Sequence, residues 1–370
     1  MRRWLLPEHI EDVLPAEARV IERLRRAILD LFERHGYELV APPMLEYTES
    51  LLSGTGKDMD LATFKLVDQL SGRMMGVRAD HTPQVARIDA HLLNRQGVAR
   101  LCYCGSVLHT VPAGMTRTRE PLQIGAELYG HAGLEADVEI VRLMIDSLKA
   151  AGVDRVHVDL GNPAIYRALS ADLALDAESS EAIFHAVQQK NAVEAKQLAV
   201  LTGLHGGLDT IERARRLLPP KAAVRDALAA LETLAKAIEG PGVEVSVDLA
   251  ELGGFNYESG LVFAAFAEGS PGALARGGRY DEVGASFGRA RPATGFTMDL
   301  RLLAARSKGN GRRAAILAPG GEDAQLREEI ARLRAAGEIV IVELPGHTDS
   351  INELGCDRKL ERKDGKWRVT

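Results

Sequence analysis

The segment from Pro121 to Tyr129 alternates strictly, and few local patterns limit a fold as tightly. Leu122, Ile124, Ala126 and Leu128 fall on one side, and Gln123, Gly125, Glu127 and Tyr129 on the other. Period-two alternation with one apolar face predicts a half-buried strand of an antiparallel sheet. From Leu101 to Gly130 the chain reads as a strand, an irregular loop and this second strand. On the polar face Gln123 and Glu127 point the same way, and Gly125 between them leaves an opening the size of a side chain. Such a floor supplies donors and acceptors for a small polar ligand. The loop from Thr110 to Thr118 carries Arg117 and leads into Arg119, which places cationic groups above the floor. Taken alone, the solvated face of an ordinary hairpin is the simpler reading, so a binding role needs support from elsewhere in the chain.

At 370 residues the chain is long enough for two or three domains with a substantial core. Its 46% hydrophobic and 26% charged residues are those of an ordinary soluble protein. A formal net charge of -6 argues against nucleic-acid binding, which usually shows as a basic domain. Cys102, Cys104 and Cys356 are too few for a disulfide framework and lack the partners of a zinc site. They read as free thiols of a reducing cytoplasm. Pro7, Glu8 and Glu11 follow the basic start too closely for a signal peptide, and no run approaches the ~20 apolar residues of a membrane span. The expectation is a cytoplasmic protein with no membrane segment, no metal and no cofactor.

Pro15 to Arg34 predicts an amphipathic helix, with Val20, Ile21, Leu24, Ile28, Leu31 and Phe32 on one stripe and Gly36 ending it. Tyr37 to Leu45 is extended, and Pro42 and Pro43 suit an edge or an interface. Thr63 to Asp68 and Arg73 to Arg78 predict hairpin arms around Ser71 and Gly72. Thr82 is then a good N-cap with Pro83 as first helical residue and Val85, Ile88 and Leu92 as the stripe, which holds Asp80 at a strand-to-helix corner. A helix is expected at 135–149 and a strand at 156–160. An alanine-rich helical insertion follows over about 162–240, then strands at 243–249, 255–257 and 261–267. Ser307 to Gly311 has the composition of a flexible linker. Beyond it a small α/β domain, 312–370, ends in a basic hairpin turning at Asp364 and Gly365. Asp357, Glu361 and Asp364 interleave with that tail's basic residues, which favours a solvated surface.

Several separated stretches share a resemblance. Tyr37 to Glu46 resembles the first signature of class II aminoacyl-tRNA synthetases, whose proline, here Pro43, lies at the dimer interface. Leu101 to Gly130 resembles the second. Arg78-Ala79-Asp80-His81-Thr82-Pro83, Gly253 to Phe263 and Gly277-Gly278-Arg279-Tyr280-Asp281 resemble segments special to histidyl-tRNA synthetase. The similarity runs from about Pro7 to Arg306. It implies an α+β fold, a class II synthetase-like antiparallel sheet flanked by helices over 1–306. It also implies a histidine site in which Asp80, Thr82 and Gln123 take the α-ammonium group and Glu127 faces the imidazole. Tyr257 matches the first tyrosine of a pair, Glu258 replaces the second, and Arg119 matches the arginine that enters the second strand.

The departures from the synthetase pattern decide what the resemblance implies. Where the synthetases carry the α-phosphate arginine and its neighbours, Leu108, His109 and Val111 stand. Leu302 occupies the place of the adenine-stacking arginine, Asp299 that of a glycine, and Gly253 that of the histidine-specific catalytic arginine. Adenylate formation needs preorganised cations at the α-phosphorus. Losing several at once implies a chain with no catalytic residues of its own. This pattern resembles the regulatory subunits of ATP phosphoribosyltransferase, paralogues of the synthetase. The resemblance implies a homodimer through Pro42 and Pro43, a short catalytic phosphoribosyltransferase chain as partner, L-histidine as ligand and no tRNA. With Gly253 in place of arginine, Arg119 or a backbone donor would have to hold the histidine carboxylate. A divergent histidyl-tRNA synthetase, another class II-derived ligase, and a histidine or uncharged-tRNA sensor with no enzyme partner are the competing readings.

Overall fold

The computed structural model describes residues 4–54, 56–112, 118–173, 175–253, 258–270, 272–307, 314–344, 346 and 351–370. Contacts divide the chain into two units, Met1–Val13 with Ile21–Ser307, and Leu14–Val20 with Lys308–Thr370.

The larger unit is built on a nine-stranded sheet. Its strands are β1 (Glu38–Leu39), β2 (Ala99–Ser106), β3 (Leu122–Tyr129), β4 (Val156–Gly161), β5 (His205–Gly206), β6 (Val243–Asp248), β7 (Val262–Phe266), β8 (Ala275–Arg279) and β9 (Ala293–Asp299). They lie in the order β1-β2-β3-β9-β8-β7-β4-β6-β5. Only the β1–β2 and β4–β6 pairs run parallel. The alternation of 121–129 is thus a central strand: β3 pairs antiparallel with β2 on one side and β9 on the other. Its apolar face is buried through Ile124, Ala126 and Leu128 beneath the helix Leu134–Ala150. Arg279 clamps that helix, with Nη2 donating to Asp137 Oδ2 at 2.7 Å and to the Gly133 carbonyl at 3.1 Å.

The helix Pro15–Arg34 forms as expected and ends at Gly36, whose φ of +81° suits glycine while the Tyr37 amide donates back to the Phe32 carbonyl. A smaller sheet, Leu45–Tyr47, Met74–Val77 and Lys65–Val67, carries the chain to the corner at Asp80. There the helix begins one residue earlier than expected, at Thr82, with Pro83 as its second residue. After Arg87 it widens into a π-helical turn, Ile88–Leu93, which turns Leu92 outward to 63% exposure instead of onto the buried stripe.

The insertion contains the helices Pro163–Ser170, Ala177–Gln188, Asp209–Leu217 and Ala222–Ile238, and its two-residue strand β5 adds to the edge of the main sheet. The strand expected at 255–257 lies, with Tyr257, outside the described residues, as do Arg117 and the linker beyond Ser307.

In the C-terminal unit Ile339–Val342, Ala315–Ala318, Cys356–Lys363 and Lys366–Val369 form a four-stranded sheet in that order. The helix Ala324–Ala335 packs on it through Leu326, Ile330 and Leu333, against Ile316, Val340 and Leu360. Arg358 pairs with Glu338 at 2.8 Å and Arg362 lies 3.7 Å from Asp323, so neighbouring acids offset part of the basic hairpin.

Candidate functional site

Glu127 is the centre of the site. It is 1% exposed, yet its carboxyl group collects three hydroxyl donors. Thr82 Oγ1 and the Tyr103 hydroxyl each lie 3.2 Å from Oε1, and the Tyr280 hydroxyl donates to Oε2. Three elements supply them: the corner helix, the opposing strand β2 and the residue after β8. Burial pushes the Glu127 carboxyl up to about 8; the hydroxyl donors oppose the shift and the nearby Asp80 adds to it.

A second chain of bonds begins at Asp80. Its Oδ1 accepts from Gln123 Nε2 at 3.1 Å and from the Thr82 amide at 3.3 Å. Gln123 Oε1 in turn accepts from the His81 amide at 3.2 Å and the His81 ring Nδ1 at 2.8 Å. The Gln123 amide is therefore oriented from both ends. The His81 ring stacks on Tyr103 at 4.7 Å and 9°, and burial lowers its pKa to about 4, which keeps it neutral. Burial raises the Asp80 pKa as well.

Asp80, Thr82, Glu127 and Tyr280 line a cleft of ≈ 570 Å³. Glu251, Glu258 and Arg276 line it as well. The floor is a row of glycines from β8 and β9. A Cβ at Gly295 would collide with the Glu127 carboxylate, and one at Gly278 would meet Glu258 Oε1 at 2.9 Å and the Leu261 carbonyl at 2.8 Å. Glycine there makes room for the two carboxyl groups. Glu258 Oε2 is buried without a hydrogen-bond partner among the described residues, and burial holds its pKa well above the ordinary value.

Of the expected site residues, the structure brings Asp80, Thr82 and Glu127 together at the cleft wall. Gln123 stands behind Asp80 and fixes its orientation. Arg119 lies elsewhere: its Nε donates to the His109 carbonyl at 3.0 Å and its guanidinium sits 5.0 Å from the Phe64 ring centre. Tyr257 lies outside the described residues. The opening expected over Gly125 is filled, because Tyr103 stands opposite Gly125 in register and a Cβ there would come within 2.6 Å of its Cζ. Pro42 is buried and Pro43 exposed; their carbonyls accept from Arg78 Nη1 and Gln84 Nε2, each at 2.7 Å. Tyr103, Tyr280 and Arg276 were missed as site residues. For Tyr103 the signal was available, since a large residue facing a glycine across a strand pair fills the space that the glycine leaves.

The positions that depart from the synthetase pattern have acquired other work. His109 Nε2 lies 2.9 Å from the Ala79 carbonyl. Arg301, beside Leu302, pairs with Glu120 at 3.3 Å. The Gly253 amide donates to Glu251 Oε1 at 2.8 Å. Asp299, which stands in place of a glycine of the synthetase pattern, caps the helix Leu300–Arg306: its Oδ1 accepts from Arg301 N at 2.9 Å and Leu122 N at 3.2 Å. Among the described residues no three His, Cys, Asp or Glu side chains group as a metal site would require, and no helix is long and apolar enough to cross a membrane.

Sheet order, corner helix and polar cleft define a class II synthetase-type core of the histidyl kind. Comparison agrees. The histidyl-tRNA synthetase family matches over residues 9–303, and the C-terminal domain of the ATP phosphoribosyltransferase subunit HisZ over 313–370. The ATP phosphoribosyltransferase regulatory subunit of Cupriavidus necator is 56% identical over 99% of this chain and 98% of its own length; that of an Azoarcus species is 53% identical over the same shares. A crystal structure from Bacillus halodurans, described as an ATP phosphoribosyltransferase regulatory subunit/histidyl-tRNA synthetase, superimposes with a TM-score of 0.81. It is 28% identical and the match covers 95% of this chain and 96% of that one. Histidyl-tRNA synthetase from a Nostoc species shares the fold with a TM-score of 0.79 at 18% identity, over 98% of this chain and 91% of that one. The chain belongs to the family of ATP phosphoribosyltransferase regulatory subunits.

Proposed function

We propose that this chain acts in the cytoplasm as the histidine-sensing, non-catalytic partner of a short ATP phosphoribosyltransferase chain. In this reading it raises that chain's activity and carries feedback inhibition in the first step of histidine biosynthesis. One observation carries the reading. Asp80, Thr82 and Glu127 come together at the cleft, while His109 and the Gly253 amide, at positions where the synthetase pattern has cations, are engaged with other partners.

The ligand fits that chemistry. Asp80 offers a carboxyl oxygen to an ammonium group, and Glu127 offers a carboxyl to an imidazole N–H. Gln123 acts by holding Asp80. Charged nucleotide is not needed, and no tRNA is bound. L-Histidine then regulates by binding one arrangement of the assembly better than the other. Coupling of about 1–3 kcal/mol changes activity by roughly 5- to 150-fold, enough for feedback control.

The chain first pairs with its own copy through the Pro42–Pro43 region. Leu39, Met44 and Leu45 flank those prolines and are 59%, 48% and 42% exposed, an apolar surface that a second copy would cover. The test combines both chains. Light scattering should show a larger species on mixing, phosphoribosyl-ATP synthesis should rise, and L-histidine should inhibit it. Glu127→Ala should assemble and activate but escape inhibition; full inhibition of that mixture would overturn the assignment of the histidine site.

A further inference from the structure

A ligand that carries an α-carboxylate needs a cation or paired N–H donors. Three groups near the cleft could supply one. The Gly253 amide already donates to Glu251 Oε1 at 2.8 Å. Arg119 bonds the His109 carbonyl at 3.0 Å, lies against Phe64 and does not line the cleft. Arg276 differs from both: it lines the cleft, is exposed, and its guanidinium makes no hydrogen bond or ion pair with any described residue, although its charge opposes the upward shift of Glu258.

Register places Arg276 well. It stands opposite Thr297 on β9 and Ala264 on β7, on the same sheet face as Gly278 and Gly295. Gly295 is opposite Glu127, so Arg276 and Glu127 are two strand spacings apart across the sheet and two residues apart along it. With strands about 4.8 Å apart and a rise of about 3.3 Å per residue, the Cα atoms are separated by about 12 Å. Inward-reaching side chains shorten that gap to one that a single amino acid with an extended polar side chain can bridge. Small neighbours, Ala264, Gly277 and Gly278, leave the guanidinium room to approach such a ligand.

Electrostatics allow a carboxylate there. Asp80, Glu127, Glu251 and Glu258 all line the cleft, which would repel an anion if every one were ionised. Burial raises Glu127 to about 8, so it is mostly neutral at pH 7, and it raises Glu258 well above its ordinary value, which lessens the repulsion. Among the described lining residues Arg276 is the cation that remains.

We propose that Arg276 grips the α-carboxylate of the bound amino acid, taking over the task that the synthetase pattern assigns to an arginine at Gly253. This rests on the histidine reading of the same cleft. Titration calorimetry of the full-length chain with L-histidine and with histamine, which lacks the carboxylate, separates the two. Wild type should prefer L-histidine by roughly 10- to 100-fold, the range expected for a hydrogen-bonded charge. Arg276→Ala should lose that preference by weakening L-histidine alone, and Arg276→Lys should recover part of it. Unchanged histamine binding in Arg276→Ala also shows that its pocket is folded. An undiminished preference in Arg276→Ala overturns the assignment of Arg276 while the histidine reading stands, and equal weakening of both ligands in Arg276→Ala and Arg276→Lys overturns it too. Wild type that binds neither ligand overturns the histidine reading and this proposal with it.

Discussion

The Tyr103 hydroxyl lies 3.2 Å from Glu127 Oε1, and the ring that carries it crosses the space above Gly125. One side chain thus fills the gap left by the glycine facing it and hydrogen-bonds a buried carboxyl on the same strand as that glycine. Tyr103→Phe should cost about 1 kcal/mol, since Glu127 keeps Thr82 and Tyr280 as donors. Gly125→Ala should cost more, because its Cβ would meet the tyrosine ring and the Phe296 carbonyl, which is backbone and cannot step aside. Urea unfolding of both variants checks this; a neutral Gly125→Ala would contradict it.

Glu127 also sets a pH dependence. Its pKa rises from 4.5 in the unfolded chain to about 8 in the fold, where burial favours the protonated form. Its contribution to stability is fully present below about 4.5 and is lost as pH rises through about 8. His81 acts in the opposite sense: depressed from 6.5 to about 4, it contributes stability above 6.5 that is lost as pH falls through about 4. Between 6.5 and 8 only Glu127 of this pair slopes. Glu127→Gln, which cannot ionise, should therefore gain on wild type across that interval by at most about 1.4 kcal/mol per pH unit. Denaturant midpoints of the two proteins that run parallel from pH 6.5 to 8 would show that Glu127 is not protonated in the fold.

Asp299 gives a test away from the ligand. Its carboxylate ties the start of the helix Leu300–Arg306 to the first amide of β3. Asp299→Ala removes a cap and leaves the Leu122 amide without that acceptor, so a loss of about 1–2 kcal/mol is expected. Asp299→Asn keeps an oxygen acceptor and should lose less. Equal stability of all three proteins in urea would remove the capping role.

Much of this was legible in the sequence because local physics dominated it. The alternation of 121–129 marks a strand, the apolar stripe of 15–34 marks a helix, and Asp80, Thr82 and Glu127 stand out along the chain and meet at the cleft. What stayed hidden depends on distant pairing. Arg276 shares a sheet face with Gly295, and so reaches the cleft, only through the β8–β9 register. Tyr280 reaches Glu127 from a residue 153 positions away. Arg119 misled because its guanidinium has carbonyl and ring partners that no linear pattern reveals. The capping role of Asp299 was hidden because its two amide partners, one of them on another strand, cannot be seen along the chain. Leu92 failed for a different reason: a π turn changes the period on which a helical stripe is counted.

The last prediction concerns chemistry that should be missing. Purified protein should show no histidine-dependent ATP–pyrophosphate exchange, and Gly253→Arg alone should not create it. Three separate cationic contacts would have to return together. An arginine at 253 would first displace the bond between that amide and Glu251, since a Cβ there lies 2.6 Å from Glu251 Oε1. His109 would still be held to the Ala79 carbonyl, and Leu302 would still offer no cation to an adenine ring, with its neighbour Arg301 paired to Glu120. Groups that stabilise one transition state act as a unit, so restoring one while the others are absent returns little rate. The measurement is exchange of labelled pyrophosphate into ATP, with and without L-histidine, in protein freed of host synthetase. Exchange above the no-histidine blank in wild type would mean that the cleft retains adenylation chemistry; exchange in Gly253→Arg alone would mean that one arginine suffices for it.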